Sequence, residues 1–220
     1  MTSPIYVINP NSSETVTAGI DAAVAPLRSS DGPDIACLSL AEGPPGIQSQ
    51  RDVDGVVAPL LRRAAELEED AAAFVIACFS DPGLFALREQ SRRPVFGIAE
   101  CGVLTALTLG QRFGVIAILP TSIPRHLRYF GAMGVTQRLA ADLPIGLGVA
   151  ELADDDRTLE RMIDVGRTLK AVHGADVIVM GCAGMTRFRA TLEETLGIAV
   201  VEPTQAAVAM AVGRVRLLGT

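Results

Sequence analysis

Two cysteines occupy equivalent places in the sequence, each at the end of an apolar run that leads into a helical pattern. Cys78 follows residues 74–77, and Cys182 follows residues 177–181, about a hundred positions further on. The carboxyl end of a buried parallel strand, next to a helix N-terminus, is where α/β proteins bind ligands and where the helix dipole favours a thiolate. We therefore predict one site that contains two thiols.

Two thiols on opposite sides of a substrate carbon can move protons. A thiolate removes a weakly acidic proton from one face, and a thiol returns a proton to the other face, which inverts the configuration. The carbanion must delocalise onto a neighbouring carbonyl, so the site also needs donors for that oxygen. The candidates are the backbone N–H groups of Phe79 and Ser80 on one side and of Ala183 and Gly184 on the other. Ser80 also offers a hydroxyl, and Gly184 lets a ligand approach the backbone closely.

A second strand-end motif is repeated as well. Asn9-Pro10-Asn11-Ser12 has a counterpart in Leu119-Pro120-Thr121-Ser122. Short apolar runs alternate with helical patterns throughout the chain, which is typical of parallel sheets covered by helices. The sequence predicts an α/β fold with two pseudo-symmetric parallel-sheet halves and the active site in the cleft between them. The first half is expected to comprise residues 1–112 and 203–220, and the second residues 113–202.

The apolar runs also predict where the strands lie. They are expected near residues 5–9, 35–40, 73–78, 94–98, 113–119, 145–149, 175–181 and 198–201. Asp81 before Pro82 has the pattern of a cap for the helix that follows the first cysteine. Residues 41–50 form the longest turn-rich connection, and we expect this loop to cover the substrate.

Composition restricts the classes of function. With 220 residues, of which 49% are hydrophobic, the chain can bury a substantial core, and its net charge of −6 predicts no nucleic-acid or membrane partner. No targeting segment or membrane span is recognised, so a cytoplasmic location and a small-molecule partner are expected. In that compartment the cysteines are expected to stay reduced, with Cys37 and Cys101 in the core.

Several cofactor chemistries are disfavoured by the residues available. Lys170 is the only lysine and lies within a predicted helix, which is a poor position for a pyridoxal phosphate Schiff base. The first strand is not followed by a glycine-rich phosphate loop, and no Cys/His cluster predicts a metal. Of the two histidines, His173 is expected to be structural at a helix C-terminus, whereas His126 could border the cleft.

Four motifs together identify a resemblance. They are Ile8-Asn9-Pro10-Asn11-Ser12-Ser13, Ala77-Cys78-Phe79 with Asp81-Pro82-Gly83-Leu84, Gly97-Ile98-Ala99-Glu100, and Gly181-Cys182-Ala183-Gly184-Met185. The chain resembles the aspartate/glutamate/hydantoin racemase superfamily, most closely its hydantoin and allantoin racemase branch. The resemblance implies an enzyme without a cofactor, with Cys78 and Cys182 as the acid/base pair, and often a homo-oligomer.

The resemblance also implies a set of substrate-binding residues on the matching motifs. These are Asn9, Pro10, Ser80, Thr121, Ala183 and Gly184, and Phe79 joins them because it follows Cys78. Ser80 and Glu202 depart from the pattern expected of the superfamily, which leaves the identity of the substrate open. Glu202 could orient Cys182 or cap the helix that follows it.

The sequence leaves three functions open. The leading one is a racemase of a cyclic ureide, either a 5-substituted hydantoin or allantoin. The second is another reaction of the superfamily: an amino-acid racemase, an arylmalonate-type decarboxylase or a maleate-type cis-trans isomerase. A one-cysteine decarboxylase does not need both thiols. The presence of two cysteines therefore favours the racemase. The third is a non-catalytic binding module, or a cysteine hydrolase with His126 as base, which leaves the second thiol without a role.

Overall fold

The computed structural model describes residues 3–218 of the chain. Eight strands lie within these residues: β1 (Ile5–Asn9), β2 (Ile35–Ser39), β3 (Ala73–Ile76), β4 (Val95–Gly97), β5 (Phe113–Ala117), β6 (Leu139–Pro144), β7 (Val177–Met180) and β8 (Ala199–Val201). The α-helices of the same part of the chain are α1 (Glu14–Val24), α2 (Gln50–Gly55), α3 (Val57–Leu67), α4 (Leu84–Gln90), α5 (Ile98–Leu109), α6 (Ile123–Ala132), α7 (Asp155–Ala171), α8 (Arg189–Leu196) and α9 (Pro203–Leu218).

The strands form two parallel sheets with the same topology. The first sheet has the order β2-β1-β3-β4 and the second the order β6-β5-β7-β8. The inner strands β3, β5 and β7 are buried along their whole length, because their uninterrupted apolar residues face helices on both sides. This confirms the predicted fold class of two parallel-sheet α/β halves.

One predicted strand was misplaced. A strand was expected at residues 145–149, but β6 ends at Pro144 and the more apolar residues after it form no strand. The backbone of this segment still follows β5, since Ile145 N donates to Ala117 O over 2.9 Å. β6 is an edge strand, where a proline is tolerated because one side of the strand has no ladder partner. Because β6 spans residues 139–144, it carries Asp142.

The last helix packs against the first sheet. Ala207, Val208 and Ala211 of α9 lie in one buried cluster with residues of β1, β3, α1 and α5. This packing supports, as a proposal, the assignment of residues 203–220 to the first half. Residues 1, 2, 219 and 220 of that predicted half lie outside the described residues.

A separate buried cluster joins the two halves. It contains Val103 of α5, Val115 of β5 and Phe130 of α6, together with Phe79, the residue after the first cysteine. Burying a large apolar side chain contributes about 1.5–3 kcal/mol, so this cluster ties the first cysteine loop firmly to α6.

Candidate active site

The two predicted cysteines occupy equivalent positions in the two sheets. Cys78 follows β3 and Cys182 follows β7, which are the third strands of their respective sheets. Both line one cavity of about 40 Å³. The residues around this cavity come from both predicted halves: residues 77–80 and 181–184, Ser122, Arg125 and His126, and Asn11, Val16, Ile47, Ile118 and Val149.

The backbone N–H two residues beyond each cysteine acts on the thiol. Gly184 N donates to Cys182 Sγ over 3.4 Å, and the Ser80 N–H lowers the pKa of Cys78 in the same way. Gly181 permits this turn, because a Cβ there would lie 2.6 Å from Ile116 O. In this structure the Gly184 amide therefore bonds to a thiol, although it was expected, with the amides of Phe79, Ser80 and Ala183, to serve the substrate oxygen.

Burial makes both cysteines weak acids. The pKa of Cys78 is raised to about 12, chiefly by desolvation and also by the nearby charges of Cys182 and Asp81, against the lowering effects of the Ser80 amide and Arg125. The pKa of Cys182 is likewise raised to about 11, chiefly by desolvation, with the Gly184 amide lowering it and the charge of Glu202 raising it. Mutual repulsion raises the cost of ionising both, so when one cysteine loses its proton the other keeps its own, as two-base proton transfer requires.

We expect activity to rise with pH. Because burial raises the pKa of each cysteine to about 11 or 12, only a small fraction of the free enzyme holds a thiolate near neutrality. The kcat/KM for racemisation should therefore climb about tenfold per pH unit from pH 7 to 8.5, after the buffer-catalysed rate is subtracted. A flat profile over this range would show that the reactive base has a much lower pKa.

Arg125 brings a positive charge to the first thiol. Its Nη1 donates to Thr121 O over 2.8 Å and to Gln48 O over 3.3 Å, and its Nη2 donates to Ser122 Oγ over 3.3 Å. Nε is buried and has no hydrogen-bond partner among the described residues. Gln48 belongs to the loop expected to cover the substrate, and Ile47 of the same loop lines the cavity. Arg125 therefore connects this loop to α6.

Asp81 fixes the position of the first cysteine loop. It was expected to cap the helix after Pro82, but its carboxylate instead accepts N–H bonds from Ala99 and Glu100 at the start of α5, each over 2.9 Å. Its Oδ2 also accepts the Tyr129 hydroxyl of α6 over 2.6 Å. Gly97 makes room for this contact, since a Cβ there would lie 2.3 Å from the carboxyl group. Asp81 thus binds together the Cys78 loop, α5 and α6.

Among the other predicted binding residues, four line the cavity and three do not. Phe79, Ser80, Ala183 and Gly184 line it, whereas Asn9, Pro10 and Thr121 are not among its lining residues. Asn9 is buried, and its Nδ2 donates to Asn11 Oδ1 over 2.9 Å and to Thr17 Oγ1 over 3.0 Å, which fixes the loop into α1. Thr121 is exposed and donates to Gln48 O over 3.3 Å. Substrate contact by these three stays a prediction.

Glu202 acts as a helix cap. Its carboxylate accepts N–H bonds from Thr204 over 3.0 Å and from Gln205 over 2.6 Å at the start of α9. Burial raises the pKa of this carboxyl to about 7, against the effect of the two N–H donors. It does not line the cavity, so its effect on Cys182 is electrostatic.

Sequence reasoning did not include Arg125, Ser122, Asn11 and the apolar lining residues in the site. The available signal was helical spacing, since Arg125 lies one turn beyond Thr121 and beside His126. Within residues 3–218, no cluster of three or more His, Cys, Asp or Glu side chains could hold a metal ion. In the same range, no helix is long and apolar enough to cross a membrane.

Two parallel α/β sheets of equal topology, with a cysteine at equivalent strand ends and a shared cavity, define an enzyme-like two-thiol site. A family model of Asp/Glu/hydantoin racemases matches residues 5–211. The chain belongs to this family.

Individual relatives agree with the family assignment. The chain is 35% identical over 217 residues to the hydantoin racemase of Paenarthrobacter aurescens, covering 97% of this chain and 91% of that protein. The allantoin racemase of Klebsiella pneumoniae is 32% identical with a TM-score of 0.89, over 99% of this chain and 89% of the other. The Pseudomonas fluorescens allantoin racemase is 25% identical with a TM-score of 0.92, over 97% of this chain and 91% of the other.

Proposed function

We propose that this protein is a cofactor-independent racemase of a cyclic ureide, a 5-substituted hydantoin or allantoin. The observation that carries the proposal is the presence of Cys78 and Cys182 in one cavity at equivalent strand ends. The relatives named as hydantoin racemases and allantoin racemases support the substrate class.

The reaction needs one proton removed and one returned. The thiolate of one cysteine takes the proton from C5 of the ring, the electron pair moves onto the adjacent carbonyl as an enolate, and the thiol of the other cysteine donates its proton to the opposite face. The two cysteines exchange protonation states, and the reaction of the opposite enantiomer restores them. No net oxidation or hydrolysis occurs, so the step balances without a co-reactant.

The polarity of the cavity favours a neutral ring over a dicarboxylate. Among the described residues that line it, Arg125 is the only arginine or lysine, and its guanidinium already bonds to Gln48 O, Thr121 O and Ser122 Oγ. A dicarboxylic amino acid or malonate requires charged partners for two carboxylates, because a buried unpaired carboxylate is costly. A cyclic ureide carries neutral N–H and C=O groups that backbone and hydroxyl groups can match.

The cysteine hydrolase alternative has less support. A hydrolase needs a base within hydrogen-bond reach of its nucleophile. Among the described residues, His126 makes one hydrogen bond, from Nδ1 to Asp142, and none to Cys78 or Cys182. The proposed racemase also gives both thiols a role. A homo-oligomeric state and a cytoplasmic location stay predictions from the sequence.

Circular dichroism on single enantiomers tests the proposed activity. Purified protein is supplied separately with each enantiomer of allantoin and of a 5-alkylhydantoin, and the uncatalysed racemisation is subtracted. We expect the optical signal of both enantiomers of at least one substrate to decay to zero with no change in the ring absorbance. A stable signal with all four compounds would remove the cyclic-ureide proposal, and a loss of ring absorbance would indicate hydrolysis.

A further inference from the structure

A buried histidine and carboxylate lie beside the two thiols, and proton transfer between the thiols does not use them. His126 of α6 lines the cavity and is 3% exposed, and Asp142 of β6 is 7% exposed. His126 Nδ1 and Asp142 Oδ2 are 2.7 Å apart. The other carboxylate oxygen, Oδ1, is buried with no hydrogen-bond partner among the described residues.

The geometry of the pair leaves the second ring nitrogen, Nε2, without a protein partner among the described residues. A buried carboxylate needs a counter-charge, and among residues 3–218 the ion pair of Asp142 is with His126. As an imidazolium, the ring supplies that charge through Nδ1–H and keeps a second proton on Nε2. No described residue accepts a hydrogen bond from Nε2. With a proton on Nε2, a side chain that lines the cavity therefore holds an unused donor.

The ring is held rigidly on the side of the first thiol. The ring of Phe79, next to Cys78, meets the imidazole edge to face, with centroids 5.1 Å apart. Phe130 packs on the same imidazole at 6.0 Å. One turn further along α6, the Tyr129 hydroxyl bonds to Asp81 of the Cys78 loop. These contacts fix α6 relative to the thiol, which is the preorganisation that electrostatic stabilisation of a transition state requires.

We propose that His126 donates Nε2–H to the substrate carbonyl that becomes the enolate oxygen, and that Asp142 is the positioning residue that holds this proton in place. The inference rests on the proposed racemase function. It assigns a residue to the stabilisation of the enolate, the least stable species of that reaction. It also supplies an oxygen donor that the Gly184 amide does not provide while it bonds to Cys182. The ligand chemistry is a planar ring with a carbonyl next to the acidic carbon.

The test couples a substitution in the protein to a change of one atom in the substrate. Sulfur accepts hydrogen bonds more weakly than oxygen, so racemisation of a 5-alkylhydantoin is compared with that of its 4-thio analogue, each divided by its uncatalysed rate. Wild-type protein should favour the oxygen compound. In His126→Asn this preference should shrink about tenfold, which is the worth of one hydrogen bond of ~1.4 kcal/mol. The kcat for the oxygen compound should fall about a hundredfold with little change in KM.

Two further variants complete the design. Asp142→Asn keeps an acceptor for Nδ1–H but removes the charge that holds the second proton, so it should reproduce the loss of kcat and of oxygen preference. If His126→Asn failed to fold, this variant would carry the same test. His173→Asn changes the other histidine, which lies outside the cavity, and should leave both substrates unaffected.

The outcomes separate the inference from the function on which it rests. Wild-type protein that racemises neither compound contradicts the proposed function. Wild-type activity with an unchanged oxygen preference in both His126→Asn and Asp142→Asn overturns the role of His126, because a purely structural defect slows both substrates equally.

Discussion

Replacing either Cys78 or Cys182 with serine should lower the rate of racemisation by about a thousandfold. A positioned acid or base contributes about 10²–10⁴-fold, and a serine hydroxyl is a far weaker acid than a thiol, so it cannot supply the anion that starts the reaction. Both variants should be affected in both directions of the reaction, since inversion needs one group on each face. The rates are measured by circular dichroism on each enantiomer.

The matched control for these variants is Cys37→Ser. Cys37 is half-buried on β2 and does not line the cavity, so its replacement should leave the rate within about twofold of wild type. Thermal unfolding of all three variants shows whether a loss of activity reflects loss of fold. A tenth or more of the wild-type rate in either Cys78→Ser or Cys182→Ser would contradict the assignment of both thiols to the acid/base pair.

Replacing Asp81 with alanine should lower the free energy of unfolding by about 4 kcal/mol. The change leaves three donors without an acceptor, the N–H groups of Ala99 and Glu100 and the hydroxyl of Tyr129, and each unsatisfied buried group costs about 1–3 kcal/mol. Activity should also fall, because the same carboxylate holds α6 against the Cys78 loop. Urea denaturation at pH 7 measures the change, with the exposed Asp70→Ala as control.

The isosteric variant Asp81→Asn gives a prediction with a definite pH dependence. Burial raises the pKa of Asp81 from 3.8 to about 6, so the pH-dependent part of its contribution to stability is fully present below pH 3.8 and is lost as pH rises through 6, while its hydrogen bonds remain. Asparagine does not ionise. The stability difference between wild type and Asp81→Asn should therefore shrink between pH 4 and pH 7. A difference that grows over this range would show that hydrogen bonds to the charged carboxylate outweigh its burial.

The position of the two thiols could be predicted from the sequence because it depends on local pattern. Runs such as residues 74–77 and 177–180 are apolar at every position, which is typical of inner parallel strands, and a residue directly after such a strand lies at the carboxyl edge of the sheet. The duplicated spacing then places both cysteines at equivalent edges. No long-range contact had to be known for this inference.

The histidine–aspartate pair could not be predicted in the same way. Asp142 lies in β6, whose mixed sequence Leu139-Ala140-Ala141-Asp142-Leu143-Pro144 is less apolar than the residues that follow it, so the strand was expected too late in the chain. A buried charge is acceptable there only because His126 reaches it from α6, and sequence spacing does not reveal that contact. Asp81 is similar, since its partners on α5 and α6 are distant in sequence.

The central claim is that two different thiols serve the two faces of the substrate. It is tested most directly by wild-type racemisation of a single enantiomer in heavy water, with deuterium at C5 of each enantiomer measured before a tenth of the substrate is converted. Two thiols predict deuterium in the newly formed enantiomer while the remaining substrate keeps its protium, because the group that returns the proton is not the one that removed it. Substantial transfer of the original protium into the product, or equal deuterium in both enantiomers from the start, would contradict the account.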